Sequence, residues 1–379
     1  MVPSAAAQNI SELHASPFAR ASLVAYLFLI AYASWFPFTG WQADKLSALP
    51  DVIRQWPLYW TLFDAGINVI GYIPFGMLAV FALYPRVPRW WAVLLATLAG
   101  ALVSGTMEVV QYFLPSRVTS LLDFLTNSGG ALSGAVLGAL LTPLILEKGR
   151  LQLLRKHWVY QEASRELLVL GLWPLAQIYP QAYLFGLGQI LPIASQWLSA
   201  LLDTPVDLGS LLLHGVQLGA EEYLLSETII TACGSSGAIL ICLHLLNRDA
   251  PKAALSGLLL LAALASKALA SALLFQPEYA LVWLTPGARG GLLISFIMLY
   301  GFSFAPALVQ KRLALLLLLI SLIVLNLVPG NPYFAATLQT WVQGKFLNFN
   351  GAAQFLSLFW PFLALWVLLR RSATSGGQG

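Results

Sequence analysis

The sequence is short of charge. Of its 379 residues only 9% are Asp, Glu, Lys or Arg, against about 25% in a soluble domain. Too little polar surface is available to solubilise a globular fold of this size. The net charge of +4 is small and sits in short loops, which excludes a nucleic-acid surface and leaves it as topology information. Cysteine is also scarce. Cys233 and Cys242 share one apolar segment; their spacing turns a helix by about 900°, so they face opposite ways, and neither a disulfide nor a metal pair is expected. The four histidines (His14, His157, His214, His244) are scattered, and none has a second ligand at zinc spacing. No metal and no cofactor is expected.

What is abundant is apolar length. Hydrophobic residues make up 59%, and runs of about 20 recur from end to end. The chain therefore reads as an all-α, polytopic integral membrane protein. Apolar segments lie at 20–37, 64–84, 90–113, 121–146, 167–184, 224–246, 253–275, 290–308, 312–328 and 352–369. Glu12 offsets Arg20, so the first is expected as a retained helix rather than a signal peptide. The weaker stretches 185–203 and 207–219 allow two more.

Positive charge assigns the sides. Arg86 with Arg89, the 147–166 loop (Lys148, Arg150, Arg155, Lys156, Arg165), Arg248 with Lys252, Lys311 with Arg312, and Arg370 with Arg371 are expected on the cytoplasmic side. This gives about 10 crossings, with 12 as the alternative, and both termini in the cytoplasm. With 10, residues 185–219 lie outside, partly as an interfacial helix over 193–203 (Trp197, Leu198, Leu201, Leu202). A second interfacial element is expected over 44–58, with Leu46, Leu49, Ile53 and Trp56 on one face and Asp44, Lys45, Asp51 and Arg54 off it. The basic loop separates a four-helix membrane domain, 1–150, from a six-helix one, 151–379.

Against this apolar background one region stands out. Asp64 and Asn68 are i, i+4; Ser104, Glu108 and Gln111 are i, i+4, i+7; Asp123 and Asn127 are again i, i+4. Each set shares one face of its helix. A carboxylate at mid-bilayer costs about 2.5–3.5 kcal/mol on insertion scales, so such residues need partners, water or a task. The charge-derived topology brings all three sets to the extracytoplasmic side, with Arg117 in the loop 114–120 within reach. Asn127, Gly130, Gly134 and Gly138 form a small-residue stripe that holds its helix tightly against the second or third. Pro74 with Gly76 suggests a kink that opens a cavity outward. Two readings stay open: a buried polar lock in which Arg117 pairs with a carboxylate, or an outward-facing binding pocket.

Asp64-x3-Asn68, Pro74-Phe75-Gly76, Ser104-x3-Glu108-x2-Gln111, Arg117, Asp123-x3-Asn127 and Gly130-x3-Gly134 together resemble the VanZ-like family of small membrane proteins, named for a teicoplanin-resistance protein. The likeness covers residues 20–146. It implies a bacterial cytoplasmic-membrane protein of the cell envelope, with links to teicoplanin resistance or surface polysaccharide, and supplies no reaction. The second membrane half departs from the small family members.

That half offers weaker signals. Glu221, Glu222 and Glu227 near one helix start read as an acidic turn favoured by the helix dipole. The loop 329–350 (Pro329, Gly330, Asn331, Pro332, Tyr333, Gln339, Trp341, Gln343, Lys345, Asn348, Asn350) suits a membrane-interface belt or sugar recognition. Lys267 is a mid-helix cation that pairs with a carboxylate or lines a cavity.

Three functions follow. The first is an envelope factor that binds a lipid-linked precursor or a lipoglycopeptide through Asp64, Asn68, Ser104, Glu108, Gln111, Arg117, Asp123 and Asn127. The second is an intramembrane enzyme acting on a lipid-linked glycan or phosphate ester, with Glu108 or Asp123 as acid or base and Arg117 as anion clamp. No nucleophile motif, histidine partner or glycine-rich phosphate loop accompanies it. The third is a transporter, disfavoured by the lack of inverted repeats. Membrane lipid is an expected partner and nucleic acid is not.

Overall fold

In a computed structural model the chain is described at residues 17–36, 38, 40–42, 56–57, 60–147, 157–160, 163–212, 218–275, 278, 280–328 and 347–370. Among these it is helical, with no strand beyond a single bridge between Val159 and Leu246. The interfacial element expected over 44–58 falls mostly outside the described residues. So do the basic residues 148–156 and the loop 329–346. The chain divides into two compact units, Met1–Gln152 and Leu153–Gly379.

The first unit comprises α1 (Pro17–Trp35), α2 (Leu62–Leu83), α3 (Arg89–Gln111) and α4 (Leu121–Thr142), the last running on through a π-helical turn, Pro143–Glu147. Two of these helices start on local signals. Thr61 caps α2 and Ser120 caps α4, each with an Asp three residues on, Asp64 and Asp123. These Thr/Ser-x-x-Asp pairs are capping boxes in outline.

Close packing comes from missing side chains. A Cβ added to Gly130 would overlap the Val69 carbonyl, and one at Gly134 the Ile73 carbonyl. Gly138 meets Met77 in the same register. The stripe therefore seats α4 on α2, parallel to it, with backbones nearly touching. Gly76 returns the contact against Ala131 and Ala135, so it closes the interface where the sequence suggested a cavity, and α2 runs through Pro74 as one helix. On the other side α3 packs antiparallel, Gly100 against Ala131. Alanines at 79, 92, 96, 135 and 139 fill the layer between. Helix α1 is tied on by Tyr26, whose hydroxyl donates to Gly71 O at 2.7 Å.

The second unit comprises α5 (Ser164–Ala176), α6 (Leu191–Leu202), the short α7 (Leu208–Leu212), α8 (Ala220–Leu245), α9 (Lys252–Leu274), α10 (Pro286–Ser303), α11 (Ala307–Leu327) and α12 (Leu347–Leu369). Helix α8 is the buried axis, packed on α10 and α11. Cys233 and Cys242 are free and buried in it.

One expected span is shortened. The segment 167–184 leaves helix after Ala176, and residues 177–190 return as non-helical chain. Phe185 and Leu187 of this segment lie in the core of the unit. Buried irregular backbone needs internal partners, and the sequence supplies them. Thr231 donates to Leu184 O at 3.1 Å, and Asn326 bonds Gly188 O, Ile190 N and Leu191 N. Phe185 adopts φ +60°, uncommon for a bulky residue, with its ring 5.0 Å from that of Trp173. Beyond this loop, α6 presents Trp197, Leu201 and Leu202 to the surface, as an interfacial helix would.

Six described helices are long and apolar enough to cross a membrane: Asp64–Leu83, Arg89–Gln111, Leu121–Leu146, Ala220–Leu245, Lys252–Leu273 and Ala307–Leu327. Ala19–Trp35 and Ala353–Leu369 are shorter apolar helices.

Candidate functional site

The antiparallel pairing of α3 with α4 sets the site. Moving along it, Gly100 lies level with Ala131, Ser104 with Asn127 and Glu108 with Asp123. The i, i+4 spacing on both helices makes each polar residue meet another. Asn127 Nδ2 donates to Ser104 Oγ at 3.0 Å, both buried.

Glu108 is 5% exposed, and its Oε2 accepts the Ser120 backbone N–H at 2.9 Å. In a capping box the acid at N3 takes that N–H. Here Glu108 takes it from the neighbouring helix. Ser120 Oγ accepts from Asp123 N at 3.4 Å, and the Asp123 carboxylate is left to face Asn68 on α2. Asp64 is exposed; its Oδ2 accepts from Thr61 Oγ1 at 2.7 Å. Asp64 acts electrostatically on Asp123, and Asp123 on Glu108. Three carboxylates thus descend from the surface into the unit.

The remaining two candidates do other work. Gln111 Nε2 donates to Ser34 O at 2.9 Å, and the Arg117 guanidinium donates to the Phe36 carbonyl. Among the described residues no carboxylate acts on Arg117. The arginine closes the C-terminal end of α1, where carbonyls lack partners; burial pulls its pKa below the ordinary value, and its Nε has no partner among the described residues.

Tyr72 was not singled out from the sequence. It continues the Asp64, Asn68 stripe by one more turn, and that i+8 position was the available signal. Its ring is buried beside Glu108, and its hydroxyl interacts with the Ser104 side chain. The two capping signatures were equally legible. In the second unit Glu227 is buried rather than part of an exposed acidic turn, while Glu221 and Glu222 are exposed. Lys267 reaches Tyr179 O at 3.4 Å rather than a carboxylate. Among the described residues no group of three or more His, Cys, Asp or Glu is placed to hold a metal ion.

Apolar helices jointed by buried polar pairs define a multi-pass α-helical membrane protein with a polar cluster at one end of its first unit. Residues 22–142 match the family model described as VanZ/LLP1, which identifies α1–α4 as a VanZ-like segment and suggests a membrane protein associated with the cell envelope. Neither a curated protein nor a solved structure matches the chain.

Proposed function

We propose that the VanZ-like unit is a non-enzymatic envelope factor of the bacterial cytoplasmic membrane. It binds the glycan head group of a lipid-linked envelope precursor, or a lipoglycopeptide of teicoplanin type, at the end of the unit that carries Asp64. The observation behind this reading is the descending acidic series Asp64, Asp123, Glu108, which leads from the exposed end of α2 towards the buried Ser104, Asn127 and Tyr72. Carboxylates and amides accept hydrogen bonds from sugar hydroxyls, amides and ammonium groups. Three carboxylates on which no cation among the described residues acts repel a bare phosphate. The glycan end of a lipid-linked precursor fits this chemistry better than its phosphate.

The positive charge of Arg86 and Arg89 at the far end of the helix pair supports an outward position for the cluster. Glu108 and Asp123 hold a backbone N–H and an amide partner, which supports a binding role over proton transfer. The test is a photocrosslinking amino acid at exposed position 64, irradiated in cells. Polyprenyl-linked glycan or added lipoglycopeptide is expected on the protein, and Asp123→Asn should weaken the labelling. Labelling of bulk phospholipid alone would sink the reading.

A further inference from the structure

Glu227 is a buried carboxylate that the VanZ-like site leaves unexplained. It lies two turns into α8 and is 7% exposed. Its Oε1 accepts from Thr285 Oγ1 at 2.6 Å. Thr285 caps α10, and Gly287 in the first turn of α10 lies so close that a Cβ there would overlap the carboxylate. Among the described residues no basic side chain acts on Glu227.

Two phenols complete the surroundings. Tyr223 is one turn earlier on α8. Tyr183 comes from the buried 177–190 segment, is 1% exposed, acts electrostatically with both Tyr223 and Glu227, and its hydroxyl has no hydrogen-bond partner among the described residues. The loop is held in place one turn deeper, where Thr231 grips Leu184 O.

An ionised carboxylate in such a place needs a compensating charge. The start of α10 supplies roughly half a positive charge through its dipole, which offsets part of the charge of the ionised form and leaves about half a negative charge for a ligand to compensate. A hard monovalent cation fits that balance. A divalent ion is ordinarily held by more oxygens and more carboxylates. We propose that Glu227, Thr285, Tyr183 and Tyr223 form a site for a monovalent alkali cation, entered past the partly exposed Tyr223.

The test uses the full-length protein in detergent. Its melting temperature is followed as NaCl, or in parallel KCl, replaces N-methyl-D-glucamine chloride at constant ionic strength and pH. A saturable rise with one of the two is expected, as for any ligand of the folded state. Glu227→Gln should abolish the rise, and Tyr183→Phe should raise the half-saturating concentration about fivefold. The Tyr183 hydroxyl has no bond to lose, so that variant folds even if Glu227→Gln does not. Equal melting in all three salts overturns the proposal. So does a cation response that Tyr183→Phe leaves at the same half-saturation, or a stability that follows pH and ignores the cation.

Discussion

The Glu108 carboxylate accepts the backbone N–H of Ser120 at 2.9 Å, so a side chain on α3 caps the first turn of α4. This gives Glu108 a structural task that can be measured. Glu108→Ala leaves a buried N–H without an acceptor and should cost about 1–3 kcal/mol. Glu108→Gln keeps an acceptor oxygen and should cost less than half as much. Denaturant unfolding in micelles reads both; equal losses would show that charge, and not the hydrogen bond, matters there.

The stripe of glycines on α4 gives a steeper test. Gly134→Ala drives a methyl into the Ile73 carbonyl and should cost at least about 1–3 kcal/mol, the range for overpacking. Gly129→Ala on the same helix meets nothing within 4 Å and should be neutral or slightly stabilising, since alanine is the better helix former. Melting temperatures of the two variants should separate clearly.

Ser104 and Asn127 form the one direct side-chain bridge between α3 and α4 described in the cluster. A double-mutant cycle with Ser104→Ala and Asn127→Ala should return a coupling of about 0.6 kcal/mol, the average for membrane interhelical hydrogen bonds, and below about 1.7.

Arg117 separates two pictures of the loop. Bonded to the Phe36 carbonyl, it should show almost no coupling to Asp123→Asn or Glu108→Gln, and its loss should be insensitive to salt. An ion pair with either carboxylate would give a coupling of several tenths of a kcal/mol or more that falls as salt rises. Stability of the single and double variants at low and high NaCl decides it.

The two N-caps should behave alike. Thr61→Ala and Ser120→Ala each remove a hydroxyl that accepts an N–H from an Asp at N3 and should each cost about 1 kcal/mol, read by helical signal and melting. The Ser120 variant keeps the Glu108 bond, because that bond uses the backbone.

Much of the candidate site was legible from spacing. The sets 64/68, 104/108/111 and 123/127 are on-face by helix geometry, and the structure does bring Ser104 to Asn127, and Asp123 to both Glu108 and Asn68. The capping roles of Thr61 and Ser120 were also in the sequence, as Thr61-x-x-Asp64 and Ser120-x-x-Asp123, and so was the place of Tyr72 at the next turn. Arg117 was misleading because a lone arginine near three carboxylates suggests a pair by charge alone. A carbonyl at a helix end is as good an acceptor and carries no mark in the sequence.

Composition and periodicity by themselves determined that this is a helical membrane protein, and the motifs between Asp64 and Gly134 carried its likeness to the VanZ-like family. A chain with so few charges has no soluble alternative, and helices satisfy their own backbones in lipid. Only the tertiary structure decided what the polar residues touch. It showed Glu108 capping another helix, Arg117 closing α1, and Glu227 sealed against Thr285 and Tyr183. Those partners are remote in sequence, and hydrogen bonds between distant segments depend on helix register and depth, which spacing along one helix does not encode.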